Sequence, residues 1–281
     1  MKPRPCFALS PAVVRRLKLA VCGLVALFLL AGSAIAQGTD DPAAEQRLLV
    51  LINQERANAG LSRLDWDERM ARAARLHAQI MAQRDELSHQ FPDEDPLVLR
   101  LRAQSVRSDH DGENIALNGD VESAHVALMG SPLHRANILG PSFNAAGIGV
   151  IRAGELIYIA EDFAHVMPDY SDFEADAVVQ QAISDFARAR GMPIPKRKPR
   201  TQLVQLACDM AQGDKIDAKA ARSIPGSTSA VAWTATDLRQ LPPGLRSILS
   251  QPLTGPYSLG VCYASSSGNP GGVYWLLFVT Y

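Results

Sequence analysis

The sequence has no histidine beyond residue 165, no G-x-S-x-G elbow and no glycine-rich phosphate loop. No H-E-x-x-H pair places two histidines on one helix face, so the local signatures of serine hydrolases, nucleotide-binding loops and helix-borne zinc sites are all missing. Cysteine is scarce, at four residues, and neither of the later two, Cys208 and Cys262, has the setting of a nucleophile. An excess of basic charge is absent as well: 28 Lys and Arg stand against 29 Asp and Glu. A balance of that kind exerts no general pull on a phosphate backbone or an anionic surface, which argues against a nucleic-acid partner. Long hydrophobic runs are lacking except near the start, where Leu19 to Leu30 is apolar apart from Cys22 and Gly23. At about a dozen residues that run is shorter than the ~20 a membrane-spanning helix needs.

What precedes and follows that run gives it a meaning. Arg15, Arg16 and Lys18 come before it, and Ala31-Gly32-Ser33-Ala34-Ile35-Ala36 comes after it. Basic, apolar and small-residue segments in this order read as a secretory signal peptide over residues 1–36, cleaved before Gln37. The expected location is therefore secreted or periplasmic, with no transmembrane segment after cleavage. Removing residues 1–36 takes five basic residues and no acidic ones, so the mature chain carries 23 basic against 29 acidic residues, a net charge of −6. Cys6 and Cys22 leave with the leader. Cys208 and Cys262 remain as an even pair in an oxidising compartment and are expected to form a disulfide, closing a loop of about 55 residues.

The remaining chain reads as α+β. Apolar residues recur at helical spacing from Glu45 to Ala59, where Gly60 ends the run, and again from about Asp67 to Gln83, with Met70, Ala74, His77 and Met81 on one stripe. A third helix is expected over 121–130. The period then changes to that of strands in Ala146-Gly147-Ile148-Gly149-Val150-Ile151 and Leu156-Ile157-Tyr158-Ile159-Ala160, joined by a turn at Ala153-Gly154, which predicts a hairpin. Residues 169–281 follow a similar plan. Helical spacing returns from Ala175 to Arg190, Leu203, Leu206, Ala207 and Met210 take the places of Met70, Ala73, Ala74 and His77, and Ser258-Leu259-Gly260-Val261-Cys262 echoes Gly147 to Ile151. Two readings stay open for this half, a degenerate second copy or an unrelated α+β extension. Residues 192–200, rich in proline and basic residues, read as a rigid solvated loop.

Three residues stand out as chemistry. His89 follows the second helix, His134 sits in Ser131-Pro132-Leu133-His134-Arg135-Ala136-Asn137-Ile138-Leu139, and Glu113 is a lone carboxylate in Gly112-Glu113-Asn114-Ile115-Ala116. Neutral imidazoles and a carboxylate can ligate zinc or a similar divalent cation, or the carboxylate can hydrogen-bond an imidazole and raise its basicity. His77, on the apolar stripe, reads as a core histidine with a satisfied hydrogen bond.

In order, Leu51-Ile52-Asn53-Gln54-Glu55-Arg56, Leu64-Asp65-Trp66-Asp67, Ser88-His89, Gly112-Glu113-Asn114-Ile115-Ala116, the His134 segment, Gly147-Ile148-Gly149-Val150 and Asp162-Phe163-Ala164 resemble the CAP superfamily of cysteine-rich secretory, antigen 5 and pathogenesis-related 1 proteins, in its bacterial SCP-like branch. The resemblance implies an α-β-α sandwich with a small antiparallel sheet over residues 37–168. It also implies a cleft lined by His89, Glu113 and His134, with the family's second acid missing near Ser131. The family's functions leave three readings: a binding domain for a small ligand, lipid or envelope component, a metal-assisted hydrolase built on a His-Glu-His site, or a structural exported module.

Overall fold

The computed structural model describes residues 38–281, so the leader expected over 1–36 lies outside the described residues. Helix α1, Pro42–Asn58, is opened by Asp41, whose carboxylate accepts from the Ala44 N–H. Helix α2, Glu68–Arg84, is opened by Asp67, which accepts from the N–H groups of Arg69 and Met70. Two short strands, β1 at Thr39–Asp40 and β2 at Asp65–Trp66, flank the main sheet. Its principal members are β3, Ser108–Asn118, β4, Ala145–Ala153, and β5, Leu156–Val166, in the order β1-β4-β5-β3 with β2 parallel to β4. Between them lie the helices α3, Leu97–Ala103, α4, Val121–Gly130, and α5, Pro132–Ile138.

Alternation along β4 and β5 explains the layers. One face packs Ile148, Val150, Ile157, Ile159 and Phe163 against Leu48 and Ile52 of α1 and Ala124 and Leu128 of α4. The other packs Ile151, Tyr158 and Ala160 against Ala74, Ala78 and Met81 of α2. The result is the expected α-β-α sandwich. Helix α2 lies almost on the backbone of β4, and glycine makes that approach possible. A Cβ at Gly147 would sit 2.2 Å from the Met70 and Ala71 backbone, and one at Gly149 would sit 2.3 Å from Arg75 N.

The second half builds the same layers. Helices α6, Asp172–Arg188, and α7, Thr201–Gln212, precede strand β6, Ser229–Ala235, helix α8, Pro243–Ile248, and strands β7, Tyr257–Ala264, and β8, Val273–Thr280. The sheet order is β6-β8-β7, matching β3-β5-β4, and all its pairings are antiparallel. Helices α6 and α8 cover one face and α7 the other. Gly260 of β7 takes the close approach, its Cβ position falling 2.2 Å from the Leu203 backbone. Because Leu203 is the third residue of α7 as Met70 is the third of α2, Gly260 stands where Gly147 does. This shifts by two residues the sequence echo, which had paired Gly260 with Gly149. The place of Gly149 then falls to Cys262 and that of its neighbour Arg75 to Cys208, and these two cysteines form the expected disulfide, with Cα atoms 5.3 Å apart. A covalent bond joins helix to strand where the first unit relies on a second glycine.

The two units meet at Arg107, which donates to the Tyr170 carbonyl at 3.0 Å and the Tyr274 hydroxyl at 3.1 Å while stacking over Tyr263. Among the described residues no helix is long and apolar enough to cross a membrane.

Candidate functional site

The strand that carries Glu113, β3, was not foreseen: its opening Ser108-Asp109-His110-Asp111-Gly112 is too polar to show a strand period. It forms the outer edge beside β5, with Glu113 opposite Asp162 and Asn114 opposite Glu161. Cross-strand partners share a face, so Glu113 and Asp162 look toward α2 and α3, and Asn114 and Glu161 toward α1, α4 and α5.

On the first face Glu113 is buried and fully engaged. Its Oε2 accepts from His89 Nδ1 at 2.9 Å and its Oε1 from Arg100 Nη2 at 2.6 Å. His77, wholly buried on α2, bonds Glu94 through Nδ1 at 2.8 Å and approaches Glu113 Oε1 at 3.8 Å with Nε2. The expectation of a satisfied core histidine is therefore met on one nitrogen only, since Nε2 has no hydrogen-bond partner among the described residues. Asp162 is completely buried, and among the described residues its carboxyl oxygens find no donor.

These environments push two facing carboxyls apart. Burial works to raise Glu113, yet the hydrogen bond from His89 and the charges of Arg100 and His77 outweigh it and hold the group below the usual range. Burial, followed by the negative charge of Glu113, raises Asp162 well above the usual range. The two carboxyls face each other across the strands, and the charge of each disfavours ionisation of the other. The bond to Glu113 raises the pKa of His89, more than offsetting the desolvation that lowers it.

The other face fixes His134. Asn114 donates to Glu161 Oε2 at 3.0 Å and to the His134 carbonyl at 3.2 Å, while Asn137 donates to Asn114 Oδ1 and to the Glu113 carbonyl, each at 3.0 Å. Arg56, buried beneath, donates to the carbonyls of Ile138, Gly140 and Phe143. Helix α5 is thus pinned to β3 by side-chain amides and held at its far end by a guanidinium. Ser131, where the second acid was sought, caps the start of this helix. His134 lies near enough to His89 for that ring's charge, added to the larger effect of desolvation, to lower its pKa.

His89 bonds Glu113, and His134 lies near His89. Both Glu113 oxygens are occupied, one of them by a guanidinium, and among the described residues no three histidine, cysteine, aspartate or glutamate side chains are arranged to hold an ion. The second partner of Glu113 is Arg100, not His134. Sequence reasoning missed Arg100, Glu94, Asp162, Glu161, Asn114 and Asn137. Three of these, Asn114, Asn137 and Asp162, stand inside the motifs already quoted, and recognising β3 as a strand would have assigned their faces.

Residues 49–167 match CAP, the cysteine-rich secretory protein family, and this part of the chain is a CAP domain. The chain is 32% identical over 113 residues to an uncharacterized protein, YkwD, of Bacillus subtilis (strain 168), covering 40% of this chain and 44% of the relative. It is 33% identical over 109 residues to an uncharacterized membrane protein, YlbC, of the same organism, covering 38% and 32%. The chain thus spans less than half the length of these curated relatives. Among solved structures it is similar to an extracellular protein containing a SCP domain from Bacillus anthracis, at 29% identity and a TM-score of 0.42, covering 44% of this chain and 41% of the other. It is also similar to a cysteine-rich secretory protein from Staphylococcus aureus, at 22% identity and a TM-score of 0.38, covering 44% and 39%.

Proposed function

We propose that this is an exported protein whose CAP domain binds a polar ligand, a component of the cell envelope, in the cleft between His89 and His134. The observation that carries the reading is the division of labour around Glu113. The carboxylate is buried and spent on two donors, while the His89 side chain that it holds is 58% exposed. A carboxylate with both oxygens occupied is poorly placed to act as a general base, so it serves to orient His89 and raise its basicity. His89, its pKa raised, then favours donation and His134, its pKa lowered, favours acceptance, a pairing suited to hydroxyl or carboxylate groups on a ligand. Export is supported by the leader-like order of residues 1–36 and by the disulfide. The correspondence of Gly147 with Gly260 supports the C-terminal unit as a degenerate second copy, kept for packing or contact.

Sedimentation of the protein with isolated cell-envelope material tests the reading. Wild type should co-sediment, and His89→Ala and His134→Ala should each lose most of the bound fraction while their melting temperatures stay close to wild type. Binding unchanged in both variants would remove the cleft from the function.

A further inference from the structure

The C-terminal unit contains no histidine, yet it holds a cavity of a different kind. A cavity of about 700 Å³ opens between α6 and the segment leading into α8, and three arginines, Arg190, Arg239 and Arg246, line it. None of these guanidinia has a carboxylate within 4.0 Å among the described residues. The single acid on the lining, Asp185, is already used by Arg188 at 2.6 Å and by Gln181 at 2.9 Å. Asp237, close by in sequence, accepts from the Arg239 N–H at 2.9 Å and from Gln240 at 3.3 Å, and the Tyr170 side chain, followed by the charge of Asp237, raises the pKa of Arg239.

Beside Tyr170, Gln181 and Gln240, part of the lining is apolar. Leu241 and Phe186 contribute to it, and the Arg190 guanidinium stacks 3.7 Å from the Phe186 ring centre. Stacking of that kind holds a guanidinium in place while leaving its N–H groups directed outward. The electrostatic setting agrees. Residues 37–168 hold twelve basic and twenty acidic residues, whereas 169–281 hold eleven and nine, so cationic character is confined to this half.

We propose that this groove binds an organic phosphate, its phosphate group held by Arg190, Arg239 and Arg246 and its apolar or aryl body resting on Phe186 and Leu241. Three guanidinia suit a dianion with three terminal oxygens better than a carboxylate, since each oxygen can accept from a separate planar fork. The apolar side chains of Phe186 and Leu241 beside these cations select for a body attached to the anion.

Calorimetric titration of the full-length protein with 1-naphthyl phosphate, inorganic phosphate and 1-naphthol separates the two halves of the claim. The naphthyl ester should bind at one site, at least tenfold more tightly than either control, and Arg239→Gln/Arg246→Gln should weaken it at least tenfold with an unchanged melting temperature. Should that double variant fold poorly, Arg190→Gln alone reads the same loss. His89→Ala should leave the titration unaltered, which keeps this site separate from the cleft. Absence of saturable binding, equal affinity for 1-naphthol or for inorganic phosphate, or affinity unaffected by the arginine variants would each overturn the proposal.

Discussion

The two units of this chain share a scaffold and differ in what they bury. In the N-terminal unit the buried polar residues include Glu45, Asn53, Arg56, His77, Arg100, Glu113, Asn114, His125, Glu161 and Asp162, while the C-terminal unit contributes only Ser258 and Thr280 to the same set among the described residues. The register makes the contrast specific. Asp162 and Glu113 lie in line with Gly147 across the first sheet, and Leu277 and Ala232 lie in line with Gly260 across the second. Met210 takes the position of His77. Where one unit holds an acid pair and an imidazole, the other holds leucine, alanine and methionine. A β-sheet and two helices at this spacing therefore need no buried charge to fold. The charges of the first unit belong to its site, and such groups are costly unless paired.

That contrast can be broken from either side, and the largest effect is expected at Glu113. Glu113→Ala leaves buried Arg100 with only the longer contact to Glu94, at 3.9 Å, and removing one partner of a buried pair costs about 3–5 kcal/mol. Hydrogen exchange read separately on β5 and β8 should show protection lost in the first unit and kept in the second. Equal loss in both would mean that the units unfold as one and would remove the basis for comparing them. In the second unit the corresponding element is the disulfide. Replacing Cys208 and Cys262 by alanine should cost about 3–4 kcal/mol in the chain-entropy model for a loop of this length. Denaturant melts of the double variant measure it, and a loss below 1 kcal/mol would mean that helix packing alone secures α7. The glycine approach offers a smaller test. Gly149→Ala drives a methyl into the Arg75 backbone and should cost about 1–3 kcal/mol as overpacking. An unchanged melting temperature would show that α2 can move away from β4 freely.

How much of this was legible depended on whether the signal was local. Helix α1 was expected over Glu45–Ala59 and spans Pro42–Asn58, and the hairpin and the disulfide fell where periodicity and cysteine parity placed them. The misses cluster at the site. Strand β3 carries polar residues on both faces because both faces serve the cleft, so the alternation that reveals a strand is absent there. Helix α5 begins after Ser131 with Pro132, a start signal readable in the sequence. Arg100 was hidden in a short amphipathic patch, Leu97 to Leu101, because nothing local says that a charge on a surface-like turn will be buried against a strand. Glu113, a lone carboxylate among small and apolar residues, needs partners once buried, and which groups answer depends on long-range pairing.

The subtlest difference between the units is a charge that only one of them can change. Glu161 is fully buried, with Oε1 lacking any partner among the described residues, and burial raises its pKa from 4.5 to about 7, against the lowering effect of the bond from Asn114. An acid whose folded-state pKa lies above its unfolded value favours the folded state at low pH. Its contribution is complete below 4.5 and is lost as pH rises toward about 7, because the unfolded chain releases the proton first. Asp162, also raised by burial, and His89, raised by Glu113, act in the same direction. Glu113, held low, opposes them only at acidic pH. The wild-type profile therefore mixes several groups, and a neutral isostere isolates one of them. Glu161→Gln keeps the shape and the acceptor for Asn114 but cannot ionise. Relative to wild type it should be least favoured near pH 4.5 and should gain steadily up to about pH 7, after which the difference should level off. Melting temperatures of both proteins at half-unit pH steps measure that difference. A constant offset across the range would mean that Glu161 titrates normally and that water reaches its free oxygen, and the polar interior of the first unit would then be wetter than its burial implies.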